Sequence, residues 1–276
     1  MNARPPVSVF ATLAAAQARQ AMRSLAQRRN RHAAIHRTRK AIRRLRSLLA
    51  LCRPGLGAKA KTIDKELKRL GASLSHLRDA HVVATTAAKL ATADQPEGWL
   101  ALAARLAARR EQFMAEALAE DPDFTARRRQ LDELARATAE LPWEHLEDGH
   151  LGEGIARSAR RLAKAERAAK REPDTANSHR WRRRLRRLRM QYQTIQAARK
   201  KAPFWAGPPR PHRYASLHEL VQWSDRLGWL QDLQMLEPFL DGADASLPLA
   251  PMRRRLRLEI KRATLREPAG GLVARK

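Results

Sequence analysis

Residues 36–46 read His36-Arg-Thr-Arg-Lys-Ala-Ile-Arg-Arg-Leu-Arg46, and residues 179–189 read His179-Arg-Trp-Arg-Arg-Arg-Leu-Arg-Arg-Leu-Arg189. Seven of the eleven positions are identical, and two more exchange Lys for Arg or Ile for Leu. At about 100° per residue, His36, Arg39, Lys40, Arg43 and Arg46 fall within about 120° of one another on one side of a helix. Ala34, Ile35, Thr38, Ala41, Ile42, Leu45, Leu49 and Cys52 take the other side, an apolar surface ready to pack. The second block repeats both features. His179, Arg182, Arg183, Arg186 and Arg189 form its cationic stripe, and Trp181, Leu185, Leu188, Tyr192 and Ile195 its apolar one.

A second matched pair follows in the same order: Leu74-Ser-His-Leu-Arg-Asp79-Ala-His-Val82 and Leu227-Gly-Trp-Leu-Gln-Asp232-Leu-Gln-Met235, offset by 153 residues where the first pair is offset by 143. Two blocks repeated in order imply a duplicated unit. The surrounding sequence is rich in Ala, Leu, Arg, Glu and Gln and poor in β-branched residues, which points to helices. Breakers near 54–57, 95–98, 121–123, 149–154, 172–174, 203–211, 241–242 and 248–251 cut it into about eight helical segments. The expected fold is all-α: two pseudo-symmetric antiparallel helical bundles, duplicated half-domains around a central basic cavity. One domain spans 7–266, with halves of about 7–148 and 149–266, and 267–276 form a flexible C-terminal tail.

Lys and Arg number 56 against 28 Asp and Glu, a formal net charge of +28 over 276 residues. Such a surplus calls for a polyanion: nucleic acid, an anionic membrane surface or a soluble phosphate polymer. Its distribution narrows the choice. Residues 1–63 hold fifteen basic and no acidic side chains, residues 175–218 twelve and none, whereas 94–153 hold fourteen acids against seven bases. Like charges at i,i+3 and i,i+4 cost a helix about 0.2–0.5 kcal/mol per pair, so the stripes are sensible if an anion fills them. Each stripe is about 15 Å long at about 1.5 Å per residue, the scale of a chain of phosphates. Arg supplies bidentate contacts to phosphate oxygens, Lys a mobile charge, and His a charge that changes near neutral pH.

At these residues the sequence resembles the CHAD domain, the conserved histidine α-helical domain. The resemblance rests on the His36–Arg46 and Leu74–Val82 blocks and their counterparts at His179–Arg189 and Leu227–Met235, and it covers about residues 7–266. It implies two similar bundles around a basic cavity that binds inorganic polyphosphate, in a protein of the cytoplasm associated with polyphosphate granules. By that resemblance His36, Arg39, Lys40, Arg43 and Arg46 line one wall, His179, Arg182, Arg183, Arg186 and Arg189 the facing wall, and Arg78 adds to the first half. Gln231 stands where Arg78 would be repeated. Lys65, Lys68, Arg69, Arg160, Arg161 and Lys164 are secondary basic candidates.

Other chemistries fit less well. Asp79 and Asp232 each stand alone among cations and are expected to hold arginines in place rather than to catalyse. His32 and His36 have the i,i+4 spacing of a metal pair without a nearby third ligand. Gly55–Thr62 lacks phosphate-loop spacing. Some relatives carry a fused triphosphate tunnel enzyme domain, and no E-x-E-x-K pattern occurs here, so no catalysis, metal or cofactor is expected. The six Trp residues suggest base stacking, yet Trp181, Trp223 and Trp229 lie in apolar helical context and are expected in the core. The runner-up is a sequence-independent nucleic-acid-binding protein that contacts phosphates alone. Cys52 is the one cysteine, which excludes disulfides and fits a reducing compartment. No window offers the roughly 20 apolar residues of a membrane span. Val7–Ala16 loosely resembles a leader segment, but Pro5, Pro6, Ser8 and Thr12 dilute it, and an amphipathic helix is expected there.

Overall fold

The computed structural model describes residues 7–91, 96–172, 174–208, 216–242 and 247–265, and these contain ten α-helices, two short 3-10 turns and no strand. The helices are α1 (Val7–Leu25), α2 (Arg31–Ser73), α3 (Ser75–Leu90), α4 (Pro96–Glu120), α5 (Thr125–Ala139), α6 (Asp148–Arg171), α7 (Thr175–Lys201), α8 (Leu217–Gln234), α9 (Glu237–Asp241) and α10 (Leu249–Leu265). The all-α expectation is met. The proposed tail at 267–276 and parts of the breaker segments lie outside the described residues.

Side-chain caps fix where the two stripe-bearing helices begin. Asn30 accepts a hydrogen bond from the Ala33 amide at α2, and Asp174 accepts one from the Asn177 amide at α7, at 2.6 Å. Gly57 then interrupts α2 with φ 68° and ψ −154°, a conformation open to glycine and strained for other residues. The two limbs, 31–56 and 58–73, fold back antiparallel. Arg39 donates to the Gly71 carbonyl, and Arg46 Nε donates to Asp64 at 2.7 Å.

The glycine-rich segment 149–154, expected as a break, instead lies in the first turns of α6. Its reason is packing. A Cβ on Gly154 would overlap the Leu51 carbonyl oxygen and come within 2.9 Å of its carbon, so the glycine lets α6 press its backbone against α2. Breaks absent from the expectation occur at 26–30, at Leu74, around Leu141-Pro142 and at Met235-Leu236, while the expected break at 54–57 falls inside α2, at the Gly57 kink, which is why ten helices replace about eight.

Two apolar clusters hold the fold. One gathers α1, α2, the start of α3, the end of α4, α5, α6 and α7 with the first part of α8, around Phe10, Leu45, Leu67, Leu151, Leu185 and Leu220. The other gathers α3, the first part of α4, the end of α8, α9 and α10, around Val83, Trp99, Leu106, Leu236 and Leu256. Each cluster takes helices from both sides of residue 148. Where the clusters meet, α2 packs on α3 and α7, and α8 packs on the same two helices, so four helices close a ring.

Candidate functional site

The cations converge inside that ring. Ser47 Oγ donates to the Arg187 carbonyl at 2.9 Å, and Gln191 Nε2 donates to the Ser47 carbonyl at 3.4 Å. These bonds pin α2 to α7 at the C-terminal ends of the two stripes. Arg43 of α2 therefore lies in the field of Arg78 of α3 and of Arg182 and Arg189 of α7. The stripes read from sequence do come together, with Arg78 completing the cluster.

Two carboxylates organise it. Arg78 donates to Asp79 at 2.8 Å and reaches Asp232 of α8 at 3.5 Å; Arg182 lies 3.9 Å from the same Asp232 oxygen. Asp232 thus bridges an arginine from each repeated block, the positioning role expected for both acids. Gln231 accepts a hydrogen bond from Arg182 and also contacts His179. The residue that replaces the second copy of Arg78 aims Arg182 instead of adding a charge.

The charges outrun their partners. Among the described residues the Nε donors of Arg199, Arg253 and Arg255 are buried without an acceptor outside the repeated blocks, whereas those of Arg39, Arg43, Arg78, Arg182 and Arg189 are buried without one inside them, on the helices of the ring, and unmade hydrogen bonds of this kind are costly. Burial, reinforced by the charges of Arg182, Arg43, Arg78 and Arg189, pushes the Arg186 guanidinium down to about 8. Burial likewise lowers Arg43 and Arg182 to about 10, with Asp232 opposing the shift at Arg182. Both stripe histidines are lowered, chiefly by burial and then by cations: His36, near Arg43, Arg78, Lys40 and His81, to about 4, and His179 beside Arg183. Every one of these shifts is relieved by an anion.

The remaining sequence candidates divide by position. Arg46 turns toward Asp64 and also lines a groove of about 370 Å³ with Lys68, Arg183, Arg186 and Arg187. Lys40 is exposed near Arg189, which donates to Asp225 at 3.1 Å. Arg161 lines a smaller cavity between α2, α6 and α7. Lys65, Arg160 and Lys164 are exposed and line neither space, and Arg69 pairs with Glu66 at 2.8 Å. His32 bonds Glu111 at 3.0 Å and stacks on His81, with ring centroids 5.6 Å apart. Among the described residues no group of three or more His, Cys, Asp or Glu could hold a metal ion.

Sequence reading missed Arg180, Arg184 and Arg187, which line the groove, and His81, which faces His36. The signal was present. Arg180, Arg183, Arg184 and Arg187 follow the i, i+3, i+4, i+7 rule that revealed the stripe itself. Trp99, Trp143, Trp181, Trp205 and Trp223 are each 9% exposed or less. That burial removes these five as a stacking surface for bases; Trp229, expected in the core, is only half-buried, with the Lys89 ammonium 5.6 Å from its ring centroid.

The family pattern described as the CHAD domain matches residues 11–241. The chain belongs to the CHAD domain family. Its fold is similar to the crystal structure of the CHAD domain from the plant Ricinus communis, with TM-score 0.58 and 20% identity over 94% of this chain and 85% of that one. It is also similar to PptA from Streptomyces chartreusis, with TM-score 0.65 and 18% identity over 94% of this chain and 96% of that one. Comparison with curated proteins returns no match. In this CHAD domain the cationic ring of α2, α3, α7 and α8 is the site so far described, and no described helix is long and apolar enough to cross a membrane.

Proposed function

We propose that this CHAD domain binds inorganic polyphosphate in the cationic ring and associates with polyphosphate granules in the cytoplasm, as a binding protein without catalytic activity of its own. The observation that carries the reading is the set of five buried guanidinium Nε donors, on Arg39, Arg43, Arg78, Arg182 and Arg189, left without acceptors. A linear phosphate polymer offers oxygens at close intervals and no bulky groups, which suits donors arriving from three helices. The two repeated blocks supply the two walls, as duplicated halves of one site. Asp79 and Asp232 are occupied by arginines, which supports positioning over acid–base chemistry. Burial of five of the six tryptophans favours polyphosphate over single-stranded nucleic acid.

The test is a competition titration near physiological salt, long-chain polyphosphate against single- and double-stranded nucleic acid of matched charge. Strong preference for polyphosphate is expected; equal or better binding of nucleic acid would favour sequence-independent backbone binding instead. Arg43→Gln with Arg186→Gln removes two cations that burial disfavours. It should weaken polyphosphate binding more than about tenfold while leaving the anion-free protein as stable or up to about 2 kcal/mol more stable, the usual exchange between function and stability. Unchanged affinity would remove these residues from the site.

A further inference from the structure

Beyond the ring, two spaces continue its lining. The groove of about 370 Å³ shares Arg43 with the central cluster and Arg186 with the same fields, and the smaller cavity shares Arg187 with the groove. Burial pushes Arg187 down to about 10, with Asp64 opposing and Arg46, Arg184 and Arg161 adding to the shift. Arg184 is lowered in the same way by burial and then by Arg161, Arg183 and Arg180. Arg161 belongs to α6, outside the repeated blocks, so a helix with no part in the ring extends its field. Asp64 is the one acid lining either space, and Arg46 already bonds it at 2.7 Å.

We propose that the groove forms a second arm of the site, which long polyphosphate chains enter and short ones do not reach; the cavity behind it, about 20 Å³, has room for a water and not for a phosphate. The inference rests on the polyphosphate reading above and adds to it that chain length is converted into affinity. A chain filling both ring and groove releases counterions along the whole track, and its second contact is intramolecular once the first is made. A short oligomer settles in the central cluster, where the unpaired donors are concentrated, and gains nothing from the arm.

The experiment compares inorganic tripolyphosphate with long-chain polyphosphate on three forms of the full chain. One carries Lys68→Glu with Arg180→Glu, at exposed positions lining the groove. The control carries Arg160→Glu with Lys164→Glu, the same change in net charge on exposed α6 positions that line neither space. The third is the unaltered protein, which should bind the long chain more tightly than tripolyphosphate. The Lys68/Arg180 pair should lose at least about tenfold in long-chain affinity. The logarithmic salt slope should shrink by about 1.4, two contacts at the roughly 0.7 each seen for single strands. Tripolyphosphate affinity should stay within about twofold, and the control should bind both probes like the unaltered protein. Equal losses on both probes, no long-chain loss, or an equal loss in the control would each overturn the arm. An unaltered protein that bound neither probe would instead overturn the polyphosphate reading, and the arm with it.

Discussion

His36 keeps an exposed edge and otherwise lies near Lys40 and Arg43 on its own helix and Arg78 and His81 on α3, so that partial desolvation and these cations lower its pKa to about 4. Unfolded, the same imidazole titrates near its ordinary value of about 6.5. Between the two values the unfolded chain binds more protons, so the anion-free protein loses stability as pH falls through that window. A bound polyanion reverses the field, the imidazole takes up a proton with the ligand, and affinity moves the opposite way. Lowering the pH from about 7 to about 5 should therefore depress the melting temperature without ligand. Over the same range polyphosphate binding should tighten, by up to about tenfold per unit for a fully linked histidine. His36→Asn should reduce both responses, His179 and His81, whose values are also lowered, supplying the remainder; thermal melts and titrations across that range read them, and affinity that fell with pH would contradict the linkage. The cationic stripes were legible from spacing alone. What spacing does not tell is which neighbour each charge meets: Arg39 and Arg46 turned to the folded-back limb of α2 because Gly71 and Asp64 stand there.

At the scale of elements, the decisive points are places where backbone meets backbone. Gly57 has open space around its Cβ position, so Gly57→Ala should cost only backbone strain, about 1–3 kcal/mol. Gly154→Ala drives a methyl group into the Leu51 carbonyl and should cost about 1–3 kcal/mol as overpacking. Urea unfolding reads both costs, and polyphosphate titration separates the two. Gly57→Ala disturbs the reversal of α2 and hence the seat of Arg39, and should weaken binding, whereas Gly154→Ala shifts α6, which has no part in the ring, and should affect binding less. A midpoint unchanged by either substitution would contradict the corresponding geometry. Helix identity and the stripe-bearing segments were readable because propensity, caps and periodicity agree there. The placement of 149–154 was not, since the close approach that turns a glycine run from a breaker into a packing surface depends on Leu51, about a hundred residues away in sequence.

Across the whole molecule, the repeat disclosed two cationic helices but not how the apolar cores would be shared. Matching blocks lie on α2 and α7, while both clusters recruit helices from either side of residue 148, because burial follows three-dimensional neighbours. A ligand held at the junction of the clusters should stabilise the fold as one unit. Long-chain polyphosphate at about 100 times its dissociation constant should add about 2.7 kcal/mol, read as a rise in melting temperature that fades with added salt. A ligand seated only on an outer helix face would give partial melting in two steps instead.

The unpaired guanidinium donors have one more consequence, for anyone handling the free protein. A chamber that confines several like charges and lacks acceptors for five of their nitrogens will draw small anions from its surroundings. Sulfate or phosphate buffers would then act as competitors, and an affinity measured in them would be an exchange constant between two guests. The truly empty form is approached only in media whose anions are too weakly held to occupy the chamber, and there the protein should be at its least stable.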